Sequence, residues 1–368
     1  MKKYLFIFIV FLAFTLMFST TIMAESNIDK SNLFKGIKNF YNGNYQNSIK
    51  SLSQFLDKEI SYEELKIDAL YYQVLSYIEI AEINKAKESI NKLKDLGYEF
   101  AKIHWKLGEI YLNETGVFDS PFYNEAKKQL EKASMLGINS ADFHSSLATA
   151  YQGLGLTEKA IKEYEIAISD SNVPSDYINL ANLYKKVSNN EQALKYYKKS
   201  LEYKSDSLSV YSNIADIYNE KGEYNKAISI LEEALKINNN YFSIHFQLGK
   251  SYYMKKEYKM AKMKFEKVVE LNTNNYKSYY FIAQIYVKND NNEKAKYYYN
   301  EAIKYNPNYA DAYIALGDIF LNENNVYKAI SQYSSAVESN PNYPKGHFHL
   351  AKAFIERGMD DAAISELK

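Results

Sequence analysis

The side chains that could do chemistry are five histidines, the scattered carboxylates and one glycine pair. His104, His144, His245, His347 and His349 are the donors a metal would use. A zinc site needs four donors converging in a tetrahedron, whereas four of these histidines recur singly and far apart. His347 and His349 are two residues apart on one helix and therefore point to different faces. No metal site is expected. Gly153-Leu154-Gly155 lacks the third glycine and the preceding strand of a dinucleotide fingerprint. No H-E-x-x-H, phosphate loop or G-x-S-x-G occurs in the chain, and carboxylates such as Glu232 and Glu233 sit beside Lys236 as solvated helix faces. With no cysteine, thiolate catalysis, disulfides and lipidated cysteines are excluded. No nucleophile, base and orienting group come together, so neither an enzyme nor a cofactor is expected.

Lysine plus arginine and aspartate plus glutamate number 45 each in the 368 residues. The whole chain offers no electrostatic case for nucleic acid, and Arg357 is the only arginine, which removes the usual bidentate phosphate reader. Residues 1–24 read as a secretory signal: Lys2 and Lys3, an apolar run from Tyr4 to Phe18, then a smaller and more polar exit ending at Ala24, with cleavage before Glu25. An uncleaved anchor is the alternative, since Ile22 is bulky for such a site. Either way the remainder is expected outside the cytoplasm, periplasmic or secreted, because the lysines stay inside. Membrane contact is expected only through that segment, if it is retained.

The elements that would position any site are short amphipathic helices in tandem. In residues 310–341, Tyr313, Leu316, Gly317 and Phe320 fall at i, i+3, i+4 and i+7, the stripe of one helix. Asn322 to Asn325 supply a polar turn. Ala329, Tyr333 and Ala336 mark a second helix, and Pro341 closes the unit. Counting from the slot Ala310 occupies, units start at 174, 208, 242, 276, 310 and 344, a period of 34. The seventh slot carries Leu180, Ile214, Leu248, Ile282, Leu316 and Leu350. The eighth is Ala181, Ala215, Gly249, Ala283, Gly317 and Ala351. The eleventh is Tyr184, Tyr218, Tyr252, Tyr286, Phe320 and Phe354, and the twentieth is alanine throughout. A small residue lets helix backbones approach while an aromatic fills the space beside it. Earlier units start at 141 and 101, the latter with its second helix displaced by an insertion in residues 115–121. A weaker unit starts at 67, where Gln73 replaces leucine. The first pair runs near Leu33 to Leu56, with Ser48 in the alanine slot.

This pattern resembles the tetratricopeptide repeat family, with its W-x2-L-G-x2-Y…A-x3-F…P signature. The resemblance implies an all-α, right-handed α-solenoid of helix-turn-helix repeats over residues 29–368, about nine full repeats and an incomplete one at the C-terminal end. His104, His144, His245 and His347 take the fourth slot, the family's tryptophan position, and are expected to pack against second helices. The family binds proteins or extended peptides in the concave groove lined by first helices. The second, fifth, sixth, ninth, twelfth and thirteenth slots would project into that groove.

Asn179, Asn213 and Gln247 hold the sixth slot in three successive units and Asn182 the ninth. There the chain resembles the O-linked N-acetylglucosamine transferase superhelix, whose asparagine ladder grips peptide backbone. An amide both donates and accepts, so it can pair with a peptide of any sequence. Surface amides without a ligand are the alternative reading, and Phe281 and Ala315 end the ladder. Phe246, Tyr253 and Tyr280, beside Met254, form an aromatic patch of the kind that marks binding surfaces. Trp105, in the fifth slot, either faces the groove or has slid into the packing position beside His104. In the unit at 310, recognition would fall to Asp311, Ile314 and Asp318. The two-carboxylate clamp of some family members is not expected, since Ile178 stands where it would need lysine.

The expected function is a non-catalytic protein-binding scaffold outside the cytoplasm, with no nucleic-acid partner. The last unit ends within its second helix at Lys368, so that end is expected to fray or self-associate. Two other readings remain open at this point: a recruiting array whose catalytic domain lies beyond residue 368, and a self-assembling envelope protein.

Overall fold

The computed structural model describes residues 30–58, 60, 62–113 and 120–367. Residues 1–24, expected to be a signal, and most of the insertion at 115–121 lie outside the described residues, although Ser120 and Pro121 belong to a helix and not to a loop. Among the described residues there are 20 helices and no strand. They run α1 Ser31–Tyr41, α2 Tyr45–Leu56, α3 Glu63–Glu79, α4 Ile83–Asp95, α5 Ala101–Asn113, α6 Ser120–Met135, α7 Ala141–Gly153, α8 Thr157–Asp170, α9 Pro174–Lys186 and α10 Asn190–Glu202. The series continues with α11 Leu208–Glu220, α12 Tyr224–Ile237, α13 Phe242–Met254, α14 Tyr258–Leu271, α15 Tyr276–Lys288, α16 Asn292–Tyr305, α17 Ala310–Asn322, α18 Val326–Ser339, α19 Pro344–Glu356 and α20 Asp360–Glu366. The chain divides within α9 into two compact units, residues 1–183 and 184–368.

Each unit follows one packing rule. An odd-numbered helix pairs with the next even one, and α11 with α12, α13 with α14 and α15 with α16 are such pairs in the second unit. Even helices such as α12, α14 and α16 also touch the odd helix that follows, and odd neighbours such as α11 and α13, or α17 and α19, touch each other. The odd, first helices therefore line a common face within a unit. Amphipathic helices of 13 or 14 residues bury too little on their own, so each stripe is completed by its neighbours.

The eighth and twenty-fourth slots show how tight that packing is. Gly249 faces Phe265, and a methyl group at Gly249 would lie 2.6 Å from the ring. Gly317 faces Tyr333 in the same way, at 2.4 Å. Phe265, Tyr299 and Tyr333, all in the twenty-fourth slot, are fully buried, as are the twentieth-slot alanines Ala261, Ala295 and Ala329. In the eleventh slot the aromatic ring sits between two lysines. Lys262 and Lys294 lie 5.2 and 5.4 Å from the centre of the Tyr286 ring, and Lys296 and Lys328 lie 5.6 and 5.3 Å from that of Phe320. This cation–π sandwich brings the lysine of one second helix against the aromatic of the next pair.

In every described turn inside a pair, one residue of left-handed backbone falls in the fifteenth slot. Gly222 meets this at φ +74, but Lys256, Asp290 and Asn324 adopt φ of +67, +55 and +59 with side chains attached. The turn is closed by the Glu257 N–H donating to the Tyr252 carbonyl at 2.9 Å, a helix C-cap bond.

The weak unit near residue 67 sets a polar network beside an apolar core of Leu70, Val74, Ile78 and Leu93. Buried Gln73 donates to Ser53 Oγ and accepts from Ser89 Oγ, both at 2.9 Å, while Ser76 donates to Ser48 Oγ at 2.9 Å. Each buried polar atom named here meets another, which is the condition for tolerating such a network.

Candidate functional site

Three of the four fourth-slot histidines bond to the second helix of their own pair. The His104 ring reaches Gln129 on α6, His144 reaches Glu163 on α8 and His347 reaches Glu366 on α20, with Nδ1 at 2.7, 2.6 and 2.7 Å from the side-chain oxygen. His347 Nε2 also donates to the Pro341 carbonyl at 2.9 Å, so both ring nitrogens face acceptors. That carbonyl, and then Glu366, raise its pKa above the usual histidine value. His104 and His245 are buried and shifted the other way by loss of hydration. Among the described residues no three histidine, aspartate or glutamate side chains gather as a metal site.

The first-helix face is organised by three slots: the ninth, the twenty-fourth, and the sixth of the following pair. In the first unit Thr149, Tyr164 and Asn179 hold them. The Tyr164 hydroxyl lies 3.0 Å from Thr149 Oγ1 and accepts from Asn179 Nδ2 at 3.1 Å. In the second unit Asp318, Tyr333 and His349 repeat the arrangement. The Tyr333 hydroxyl donates to Asp318 Oδ1 at 2.8 Å, and His349 Nδ1 lies 3.0 Å from the same oxygen. Burial pushes Tyr164 up to about 12, so its hydroxyl keeps its proton.

This arrangement accounts for Asn179, whereas Asn213 uses another partner. Asn179 is half-buried and held by Tyr164. Asn213 accepts from Lys185 Nζ at 2.9 Å. The side chain of Asn182 is exposed. For Gln247 the preceding twenty-fourth slot is Leu231, which has no hydroxyl, and Gln247 Oε1 is buried with no hydrogen-bond partner among the described residues. Asn179 and Asn182 belong to the first compact unit, Asn213 and Gln247 to the second.

The fifth slot behaves differently from the expectation of a groove-facing position. Ile314 is 1% exposed and sits in the core with Leu350 of the next pair, because the fifth-slot side chain packs against the helix that follows. Trp105 follows the same rule. It is half-buried, its indole N–H donates to Ser146 Oγ at 3.3 Å, and its ring stands edge-on to Phe143 at 6.2 Å. His104 keeps the packing position beside it. Phe246 meets Phe265 and Phe281 edge-on at 5.6 and 5.9 Å, and Tyr280 meets Tyr299 and Tyr309 at 5.5 and 5.2 Å. Burial pushes Tyr280 up to about 12.

The aromatic patch is nevertheless a single surface of the second unit. Its centre is Phe281, a residue that sequence reasoning treats only as the end of the amide ladder. Phe281 stacks on Phe265 at 4.9 Å with planes 6° apart and meets Tyr253 at 5.4 Å. Tyr253 is half-buried, and Met254 beside it is 41% exposed. The signal that could locate Phe281 is its slot: a ring in the sixth slot after a phenylalanine in the twenty-fourth.

Paired helices stacked in tandem, with a fixed small-to-aromatic contact and a common first-helix face, define an α-solenoid of repeats. The family models described as "TPR repeat" and "Tetratricopeptide repeat" match residues 215–256 and 282–344, and a second tetratricopeptide model matches 177–207 and 242–275. Tetratricopeptide repeats are thus matched in three stretches between residues 177 and 344. The C-terminal part of a TPR repeat-containing protein from Cytophaga hutchinsonii shares the fold at a TM-score of 0.56 and 22% identity, covering 67% of this chain and 99% of that one. YrrB, described as a TPR protein with an unusual peptide-binding site, gives 0.44 and 21%, over 50% of this chain and 95% of its own. PilF from Pseudomonas aeruginosa gives 0.46 and 18%, over 52% and 88%. No curated protein sequence matches the chain.

Proposed function

We propose that the chain is a non-catalytic scaffold that holds a protein or extended peptide on its first-helix face, outside the cytoplasm. The observation that carries this reading is the surface of α13 and α15. There a ring cluster around Phe281 shares two helices with the exposed Met254 and the unpaired oxygen of Gln247. Apolar anchors beside an unsatisfied acceptor suit an extended peptide, which brings side chains to the rings and backbone N–H groups to the amide. The sixth-slot amides Asn179 and Asn213 are already bonded within the protein, so a peptide would exchange with those partners, whereas Gln247 Oε1 has no internal bond to give up when its side chain turns toward a peptide.

Replacing Phe246 and Tyr280 together by alanine is expected to weaken partner capture by about 2 kcal/mol or more, with the circular dichroism helix signal retained. Undiminished capture by a folded double variant overturns this placement. The export half of the proposal rests on the N-terminal residues 1–24 and is tested separately. N-terminal sequencing of the protein recovered outside the cytoplasm is expected to begin at Glu25, and recovery from the cytoplasm alone contradicts it.

A further inference from the structure

The surface of α13 and α15 also specifies the chemistry of its partner. These two helices carry no aspartate or glutamate and hold Lys250, Lys277 and Lys288, within a chain whose charges balance. Lys250 is half-buried and has no ion pair or hydrogen bond among the described residues, in contrast to Lys255, which meets Glu257 at 2.6 Å. It occupies the ninth slot. From that slot Thr149 and Asp318 reach a tyrosine hydroxyl, but the corresponding ring below Lys250 is Phe265, which has no oxygen to offer. Gln247 lies one turn away on the same helix, its Oε1 buried without a donor because Leu231 stands where a hydroxyl would be. A cation without an anion and an acceptor without a donor therefore sit together beside Phe246, Tyr253 and Phe281.

We infer that this face binds an acidic, aromatic-rich or aliphatic-rich extended segment of a protein partner. A partner carboxylate pairs with Lys250, a backbone N–H donates to Gln247 Oε1, and an apolar side chain lies on the rings at Tyr253 and Met254. This rests on the scaffold reading above and adds the sign of the partner's charge. A nucleic acid would also meet the lysines, but the charges of the chain balance and its one arginine, Arg357, lies between α19 and α20 and not on this face, so the peptide is favoured.

Three labelled peptides of about twelve residues, sharing the same Phe and Leu positions and differing only in carrying Glu, Gln or Lys between them, test this by fluorescence anisotropy on the full chain. The Glu peptide is expected to bind about tenfold more tightly than the Gln peptide, and the Lys peptide more weakly than both. Lys250→Gln should erase the Glu-over-Gln preference while leaving the Gln peptide unchanged, and Gln247→Leu should weaken both; thermal melts confirm that each variant is folded. Equal binding of Glu and Gln peptides, or a preference that survives Lys250→Gln, overturns the acidic partner and leaves the scaffold reading standing. If none of the three peptides binds, both fail. A uridine oligonucleotide that displaces the Glu peptide in a Lys250-dependent way overturns the assignment in favour of nucleic acid.

Discussion

His347 Nδ1 lies 2.7 Å from Glu366, whereas His245, in the same slot of another pair, has Lys264 in the place of that carboxylate and leaves Nδ1 buried without a partner. One position on the second helix thus decides whether Nδ1 of the fourth-slot histidine is paired, while His245 Nε2 still donates to the Asn239 carbonyl at 2.8 Å. Lys264→Glu should give His245 the partner it lacks. Imidazole titration by NMR is expected to move His245 from below the usual histidine value to above it, and a titration that stays low contradicts the pairing.

The two kinds of histidine oppose each other in pH dependence. His347 is raised by the Pro341 carbonyl and Glu366, so its contribution is complete below the ordinary value of about 6.5 and fades as pH rises through its elevated folded value. His104 and His245 are lowered by burial. Their folded environment resists protonation, so stability is complete above about 6.5 and falls as pH drops toward their depressed values. Melting His245→Gln and the parent chain between pH 5 and 8 should show a smaller acid loss in the variant. An identical pH profile would remove His245 as a cause.

Gly249→Ala sets helix propensity against packing. Propensity alone predicts a gain of about 1 kcal/mol, but the added methyl group would stand 2.6 Å from the Phe265 ring, which is pinned between Phe246 and Phe281. Overpacking costs about 1–3 kcal/mol, so urea denaturation is expected to show a net loss. A stabilised variant would mean that the ring cluster yields.

Lys256→Gly should have the opposite sign. Lys256 holds a left-handed backbone at φ +67 that costs a side-chain-bearing residue about 1–2 kcal/mol. Part of that gain is lost to the freer unfolded chain, leaving about 0.5–1 kcal/mol, visible as a higher denaturation midpoint.

The architecture was readable because its rule is local. A period of 34 with Leu316, Gly317, Phe320 and Ala329 in fixed slots carries the helix pairs whatever lies between. The weak start at residue 67 was legible as a unit but not as a polar network, since nothing in Gln73 alone announces Ser53 and Ser89. The first-helix face was harder. Slot numbers say which way Ile314 or Phe246 leans, but not that the following helix covers it, and Ile314 is core for that reason. Whether Asn179 or Gln247 is held depends on a residue fifteen or sixteen positions earlier: Tyr164 for Asn179, Leu231 for Gln247. That relation joins two helix pairs, and it shows only once they are stacked.

The central claim is that the first-helix face of the second unit, and not its outer surface, receives the partner. Placing a photo-crosslinking amino acid at Met254, 41% exposed on that face, and separately at Tyr297, 60% exposed on second helix α16, compares the two directly. Irradiation with the acidic peptide is expected to give a covalent adduct, identified by mass, from position 254 and little from position 297. Equal labelling at both positions, or labelling at 297 alone, would contradict the account.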